Sequence, residues 1–228
     1  MSETDRIARA YRELERHSGR WDPRNDGNQA ILAERRRITT SLLASRGWVP
    51  LGDRRVLEVG SGMGGELAWL LELGARPEFL AGIDLLPDRV AAAKLNYPAF
   101  DFRVGNAEHL PHPDSSFDLV MAITVLSSIF DPTMAANVAR EILRVLKPGG
   151  ALLWYDFRYD SPANRNVHGV GADRVRELFP SLRGRLTGLT LIPPLARRLG
   201  PSARFAYPAL VRIPPLRSHL IGLLIKPE

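Results

Sequence analysis

The chain has 228 residues, 45% of them hydrophobic, no cysteine and a formal net charge of +6. That length and composition predict one globular domain with its own core, and the missing cysteine excludes disulfides and thiolate metal sites. No apolar run reaches the roughly 18–20 residues that cross a bilayer, and the charged start Met1-Ser2-Glu3-Thr4-Asp5-Arg6 lacks the apolar segment of a secretory signal, so a cytoplasmic location is expected.

Residues 1–50 read as helical. Ile7, Tyr11 and Leu14 recur at helical spacing, Trp21–Asn28 is rich in turn residues, and a second helix is predicted over Gln29–Arg46, before Gly47. From Arg54 the pattern alternates. Strands are predicted at Arg55–Val59, Phe79–Leu85, Phe100–Gly105, Phe117–Val125, Ala151–Phe157, Leu186–Ile192 and His219–Lys226, with helices near 64–73, 87–96, 132–146 and 171–179. Lys147-Pro148-Gly149-Gly150 reads as a helix stop followed by a turn. Pro193–Pro215, rich in proline and arginine, reads as a short helical insertion before the last strand. Strands alternating with helices predict an α/β fold with a mostly parallel sheet.

The first predicted strand ends in a glycine-rich turn, Gly60-Ser61-Gly62-Met63-Gly64-Gly65, with a helix directly after it. An α/β sheet binds nucleotide-like ligands at such a place, because glycine allows positive φ and close approach of a ligand to the backbone. Gly60, Gly62 and Gly65 satisfy the dinucleotide G-x-G-x-x-G spacing, while Glu58, Gly60, Gly62 and Gly64 satisfy E-x-G-x-G-x-G. Asp84, at the end of the next predicted strand, can accept hydrogen bonds from both ribose hydroxyls of an adenosine or cap the helix that follows. Up to this point NAD and S-adenosylmethionine both remain open.

Three further segments discriminate: Gly105-Asn106-Ala107-Glu108-His109-Leu110-Pro111, Pro113-Asp114-Ser115-Ser116-Phe117-Asp118, and Leu146-Lys147-Pro148-Gly149-Gly150. With Glu58–Gly64 and Gly82–Asp84 they resemble the class I S-adenosylmethionine-dependent methyltransferases, in the small-molecule branch, over roughly residues 54–158. The resemblance implies a Rossmann-like seven-stranded sheet ordered 3-2-1-4-5-7-6 with the last strand antiparallel, helices on both faces and an N-terminal helical lid over residues 1–50. Within a single domain spanning 1–228, residues 54–158 would be the cofactor-binding core and 159–228 the substrate side. It implies S-adenosyl-L-methionine as cofactor and S-adenosyl-L-homocysteine as product. Glu58, Gly60, Ser61, Gly62 and Gly64 would lie near the methionine and ribose. Asp84 would take the ribose hydroxyls, Leu85 would pack on the adenine, Asn106 and Ala107 would border it, and Ile123 would line the cofactor near its sulfonium. The family more often has Asp where Asn106 stands. Tyr11, Arg20, Trp21 and Arg24 are candidates for the lid.

A sulfonium methyl is already electrophilic, so orientation does most of the work, and a general base helps when the acceptor is a hydroxyl. His168, in the polar loop Ser161–His168, and Asp156, at a strand end, are the candidate bases; Thr124, Ser127, Arg158 and Tyr159 are further acceptor-side candidates. His109 and His112 read as structural. The scattered histidines give no metal-binding spacing. From Arg158 onward, twelve Arg or Lys face four Asp or Glu, interleaved with apolar residues around Pro193–Leu224. That mixture suits a small or lipid-linked acceptor, amphiphilic or anionic, with peripheral membrane contact. O-methylation is favoured over N-methylation. Nucleic acid is disfavoured, because the Asn/Asp-Pro-Pro-aromatic motif used on base amino groups is missing. An NAD-dependent oxidoreductase and a non-catalytic binding protein on the same fold are the alternatives.

Overall fold

A computed structural model of the chain describes residues 2–16, 22–161 and 164–228. Strands β1 (Val56–Val59), β2 (Leu80–Asp84), β3 (Asp101–Val104), β4 (Phe117–Ile123), β5 (Leu146–Phe157), β6 (Thr187–Leu191) and β7 (Arg217–Ile225) form one sheet. Its order is the expected 3-2-1-4-5-7-6. The first five strands pair in parallel, and β7 runs antiparallel to both β5 and β6. The helices are α1 (Glu3–Arg16), α2 (Asp26–Ser45), α3 (Gly65–Trp69), α4 (Pro87–Asn96), α5 (Pro132–Val145), α6 (Ala172–Leu178), α7 (Pro193–Arg198) and α8 (Ala203–Leu210).

β1 and β2 are buried along their whole length, as expected of parallel strands covered on both faces. One face packs Leu57, Val120 and Trp154 against Val138 and Ile142 of α5 and Val175 of α6. The other packs Val56, Leu119 and Tyr155 with Leu43 of α2 and Leu67 of α3. A third, smaller cluster joins Ile31 of α2 to Leu191, Ala196 and Tyr207.

Two segments differ from the sequence expectation, and a third, the insertion, forms helices as expected. Lys147–Gly150 is not a turn outside the sheet but an irregular stretch inside β5. The register steps from Phe117–Leu146 to Leu119–Ala151, and Lys226 N donates to Gly150 O at 2.8 Å, so β7 holds the bulge in place. The helix expected over 64–73 ends its regular part at Trp69 and tightens into a 3₁₀ turn at Leu70–Leu73, closed by Gly74 at φ 78°. The Pro193–Pro215 insertion forms two short helices, α7 and α8. Glu34 of α2 fastens it, accepting hydrogen bonds from Tyr207 Oη at 2.7 Å and Thr190 N at 2.9 Å. At Gly27 of α2 a Cβ would lie 2.1 Å from Ala196 O, so glycine permits the contact with α7.

Candidate active site

The loops after β1, β2 and β4 meet at the carboxyl edge of the sheet, where open α/β sheets bind ligands. In the first loop Gly60, Gly62 and Gly64 have φ of 71°, 53° and 84°, a region other residues seldom enter. Gly60 N and Ser61 N both donate to Ile83 O, at 2.8 and 3.0 Å. Asp84 completes the attachment. Its Oδ2 accepts from Gly62 N at 2.8 Å and its Oδ1 from Leu86 N at 2.9 Å. Each oxygen keeps a further lone pair for a ligand.

A cavity of about 180 Å³ opens beside this turn, with Gly60, Asp84, Leu85, Asn106, Ala107 and Ile123 in its wall. Tyr11 of α1 forms part of the same wall, with the Arg89 guanidinium 4.7 Å above its ring. Burial raises the Tyr11 phenol above its ordinary pKa, so it stays neutral. Asn106 is held by Glu108, whose N–H donates to Asn106 Oδ1 at 3.0 Å and whose carboxylate accepts from Asn106 Nδ2 at 2.9 Å. Glu58, Ser61, Gly62 and Gly64 do not line this cavity. Glu58 is buried, and burial, with Glu66 adding to it, pushes its carboxyl well above the ordinary value. Its Oε2 and the Ser61 hydroxyl are buried without a partner among the described residues.

These residues fit S-adenosylmethionine. Asp84 offers paired acceptor sites for vicinal hydroxyls, Leu85, Ile129 and Met134 offer apolar surface for a flat ring, and the glycine turn offers open backbone at Gly60.

A second cavity of about 260 Å³ shares Ile7, Tyr11, Thr124 and Ser128 with the first. Ile31, Tyr155, Phe157 and Val167 give it apolar walls; Arg6, Arg35 and His219 are among its polar ones. No acidic residue lines it among the described residues. Thr124 stands at the junction with φ 54°, a strained value for a β-branched residue. Its N–H donates to Tyr155 O at 2.7 Å and its hydroxyl to Ile123 O at 2.7 Å. Helix α1 is docked here through Arg6, which donates to Ser128 O, and through Tyr11 Oη, 2.9 Å from Ser128 Oγ. Arg6 in turn pairs with Glu3 at 2.8 Å and, with the Phe130 N–H, holds that carboxyl down at about 2.

Neither candidate base lines either cavity. Asp156 is buried, and its oxygens accept from Ser127 N at 3.0 Å and Phe157 N at 2.8 Å. Side chains alternate along β5, so Tyr155 and Phe157 face the second cavity while Asp156 faces the opposite core. Burial lifts its carboxyl to about 6. His168 turns toward Phe130, with ring centroids 5.3 Å apart, in a small pocket with Leu126 and Val170. Burial lowers its pKa, and its Nδ1 is buried without a partner among the described residues. Of the lid candidates, Tyr11 reaches both cavities; Arg24 is exposed and paired with Asp22; Arg20 and Trp21 lie outside the described residues. Ser127 is buried beneath the site, and Arg158 stacks on Tyr159 outside both cavities. Among the described residues no group of His, Asp and Glu could hold a metal ion.

The histidine that does line the second cavity is His219 on β7, which sequence reasoning passed over. It sits in an apolar strand with no motif around it. Its ring stacks on Tyr155 at 4.7 Å, tilts over Phe157 at 4.1 Å, and places Nδ1 2.8 Å from Ser218 Oγ.

The model of the methyltransferase domain family matches residues 57–154. A phthiotriol/phenolphthiotriol dimycocerosates methyltransferase from Mycobacterium ulcerans is 38% identical over 112 residues, 48% of this chain and 40% of that protein. A fatty-acid O-methyltransferase from Mycolicibacterium smegmatis is 39% identical over 113 residues, again 48% of this chain and 40% of the relative. The match to each thus spans well under half of the relative's length. A solved S-adenosylmethionine-dependent methyltransferase from Mesorhizobium loti superimposes with a TM-score of 0.58 at 17% identity, covering 77% of this chain and 92% of that one. The fold is therefore that of solved S-adenosylmethionine-dependent methyltransferases, and residues 57–154 match the methyltransferase domain family.

Proposed function

We propose that this chain, built on a class I S-adenosylmethionine-dependent methyltransferase domain, transfers a methyl group to an oxygen of a small or lipid-linked acceptor. The observation that carries the reading is the junction at Thr124, where a cavity walled by Gly60 and Asp84 adjoins a second, largely apolar one. Bound S-adenosylmethionine supplies the electrophilic methyl group and leaves as S-adenosylhomocysteine. In this reading Asp84 takes the ribose hydroxyls. Leu85, Asn106 and Ala107 border the adenine, and Gly60 and Ile123 flank the methionine end. Glu58, Ser61, Gly62 and Gly64 shape the turn from beneath. Asp156 and His168 serve as supports for the loop Leu126–Ile129 rather than as bases. Oxygen is favoured over nitrogen because Arg6 and Arg35 reach the acceptor cavity and no carboxylate there offsets an ammonium.

The lipid-linked class draws support from the names of the relatives and from the insertion. There Phe205 is 71% exposed and Ile213 46%, with Arg204 stacked 4.5 Å over the Phe205 ring. Such a mixed face suits the surface of an anionic membrane. Among the described residues no helix is long and apolar enough to cross one.

Thermal shift tests the cofactor half. At one hundred times its Kd, S-adenosylhomocysteine adds about 2.7 kcal/mol of stability, or roughly 5–11 °C in Tm. NAD adds nothing, and Asp84→Ala removes most of the shift. A shift with NAD and none with S-adenosylhomocysteine would return the oxidoreductase reading. Cofactor binding without methyl transfer to any hydroxylated amphiphile would return the non-catalytic one.

A further inference from the structure

We infer that His219 is the proton acceptor for a hydroxyl group of the substrate, and that the acceptor class is accordingly an alcohol or phenol. This rests on the methyl-transfer reading above. Ser218 Oγ carries one proton and donates it to Thr190 O at 3.0 Å. The 2.8 Å contact between Ser218 Oγ and His219 Nδ1 must then be filled by the imidazole's own Nδ1 proton. A neutral ring so fixed carries no proton on Nε2. That nitrogen has no partner among the described residues, and His219 stands in the wall of the acceptor cavity. Tyr155 and Phe157 hold the ring plane from β5. His219 thus carries a preset lone pair at the carboxyl edge of the sheet, and the residue stands in the wall of the cavity that meets the first one at Thr124.

The surroundings keep the ring neutral. Burial, and then the Arg35 charge on α2, push the His219 pKa down to about 3. The Tyr155 phenol beside it is raised to about 12 by burial and is neutral too. Arg35 pairs with Glu66 at 2.6 Å, Arg6 with Glu3, and Glu34 is engaged by Tyr207 and Thr190. Asp156 faces away. A weakly basic nitrogen suffices, because a hydroxyl oxygen becomes strongly acidic as it gains a methyl group. The substrate oxygen forms its bond to the methyl carbon, the electron pair of the broken methyl–sulfur bond stays on sulfur, and the hydroxyl proton passes to Nε2 and then to water. A carboxylate acceptor would set its lone pairs against that of Nε2; an alkylammonium would meet Arg6 and Arg35.

The test begins with nitrogen-15 NMR of the histidine-labelled full chain, before any turnover. The expected spectrum has His219 neutral at pH 7, protonated on Nδ1 and bare on Nε2, and 1-octanol shifts the Nε2 resonance while octanoate does not. A proton on Nε2, or an octanoate response equal to that of octanol, overturns the inference. His219→Asn, which keeps a donor toward Ser218 but lacks Nε2, should lower kcat on a hydroxylated acceptor by about 10²-fold. It should leave the S-adenosylhomocysteine thermal shift unchanged. Unaltered kcat in a folded variant also overturns it. Loss of the thermal shift in the unmodified chain would instead overturn the methyl-transfer reading itself, so the two failures are distinguishable.

Discussion

Replacing single glycines in the Gly60–Gly65 turn by alanine separates backbone strain from crowding. At Gly64 both apply: φ is 84°, and a Cβ would lie 2.5 Å from Phe102 Cζ. Phe102 is 2% exposed and packed against Phe100, so its ring tip has little room to retreat. A left-handed non-glycine residue costs about 1–2 kcal/mol, and overpacking a tight site adds about 1–3 kcal/mol. Gly64→Ala should therefore lose about 2–5 kcal/mol, which at roughly 2–4 °C per kcal/mol for a domain of this size is a Tm drop of about 4–20 °C. Gly62 is the control, with φ 53° and nothing within 4 Å of an added Cβ. Gly62→Ala should show the strain alone, about 1–2 kcal/mol. Gly65 opens α3, is not in the left-handed region and also has open space, so Gly65→Ala should be neutral or stabilise by about 0.4–1 kcal/mol. Urea unfolding of the three variants, without ligand, measures all of this. Equal losses at Gly62 and Gly64 would refute the Phe102 contact, and a loss at Gly65 would refute the conformational argument as a whole.

Two other perturbations probe the framework. Because the Asp156 carboxyl sits at about 6 instead of 3.8, the folded state binds that proton more tightly than the unfolded chain. Its contribution favours the fold below about pH 4 and is lost as pH rises through 6, a swing of about 3 kcal/mol. Asp156→Asn should remove that slope when urea stability is compared at pH 4.5 and 7; an unchanged difference between the two pH values would count against it. Tyr207→Phe takes a donor from Glu34 and an acceptor from Leu191 N, and should cost about 1–3 kcal/mol through a lower urea midpoint. An unmoved midpoint would mean that the insertion is held by its apolar contacts alone.

The sheet was legible because its strands are short apolar runs separated by glycine and proline, a signal that needs no tertiary information. The wall of the first cavity was legible for a related reason. Gly60, Asp84, Leu85, Asn106, Ala107 and Ile123 each lie at or just after a strand end, and in a parallel sheet those ends gather at one edge. The second cavity was not legible, because its walls come from α1, α2, β5, the loop before α6 and β7, which no local pattern ties together. Asp156 and His168 drew attention by sequence position alone. The alternation of β5 turns the first toward the opposite core, and packing on Phe130 turns the second aside. His219 looked like one more residue in a buried strand until Tyr155, Phe157 and Ser218 were placed around it. The Lys147–Gly150 stretch misled for the converse reason, since its local turn signal yields to hydrogen bonds from β7, distant in the chain.

Helix α1 places Ile7 and Tyr11 in the walls of both cavities. Its polar anchorage at that point rests on Arg6 and Tyr11 meeting Ser128. One helix thus walls two cavities at once. Anything that swings it outward uncovers both sites together, and a molecule pressing on either side of it changes the hold on the other by an equal and reciprocal free energy. Under the methyl-transfer reading proposed above, exchange of spent cofactor and release of methylated product would then be coupled through the contacts at Ser128.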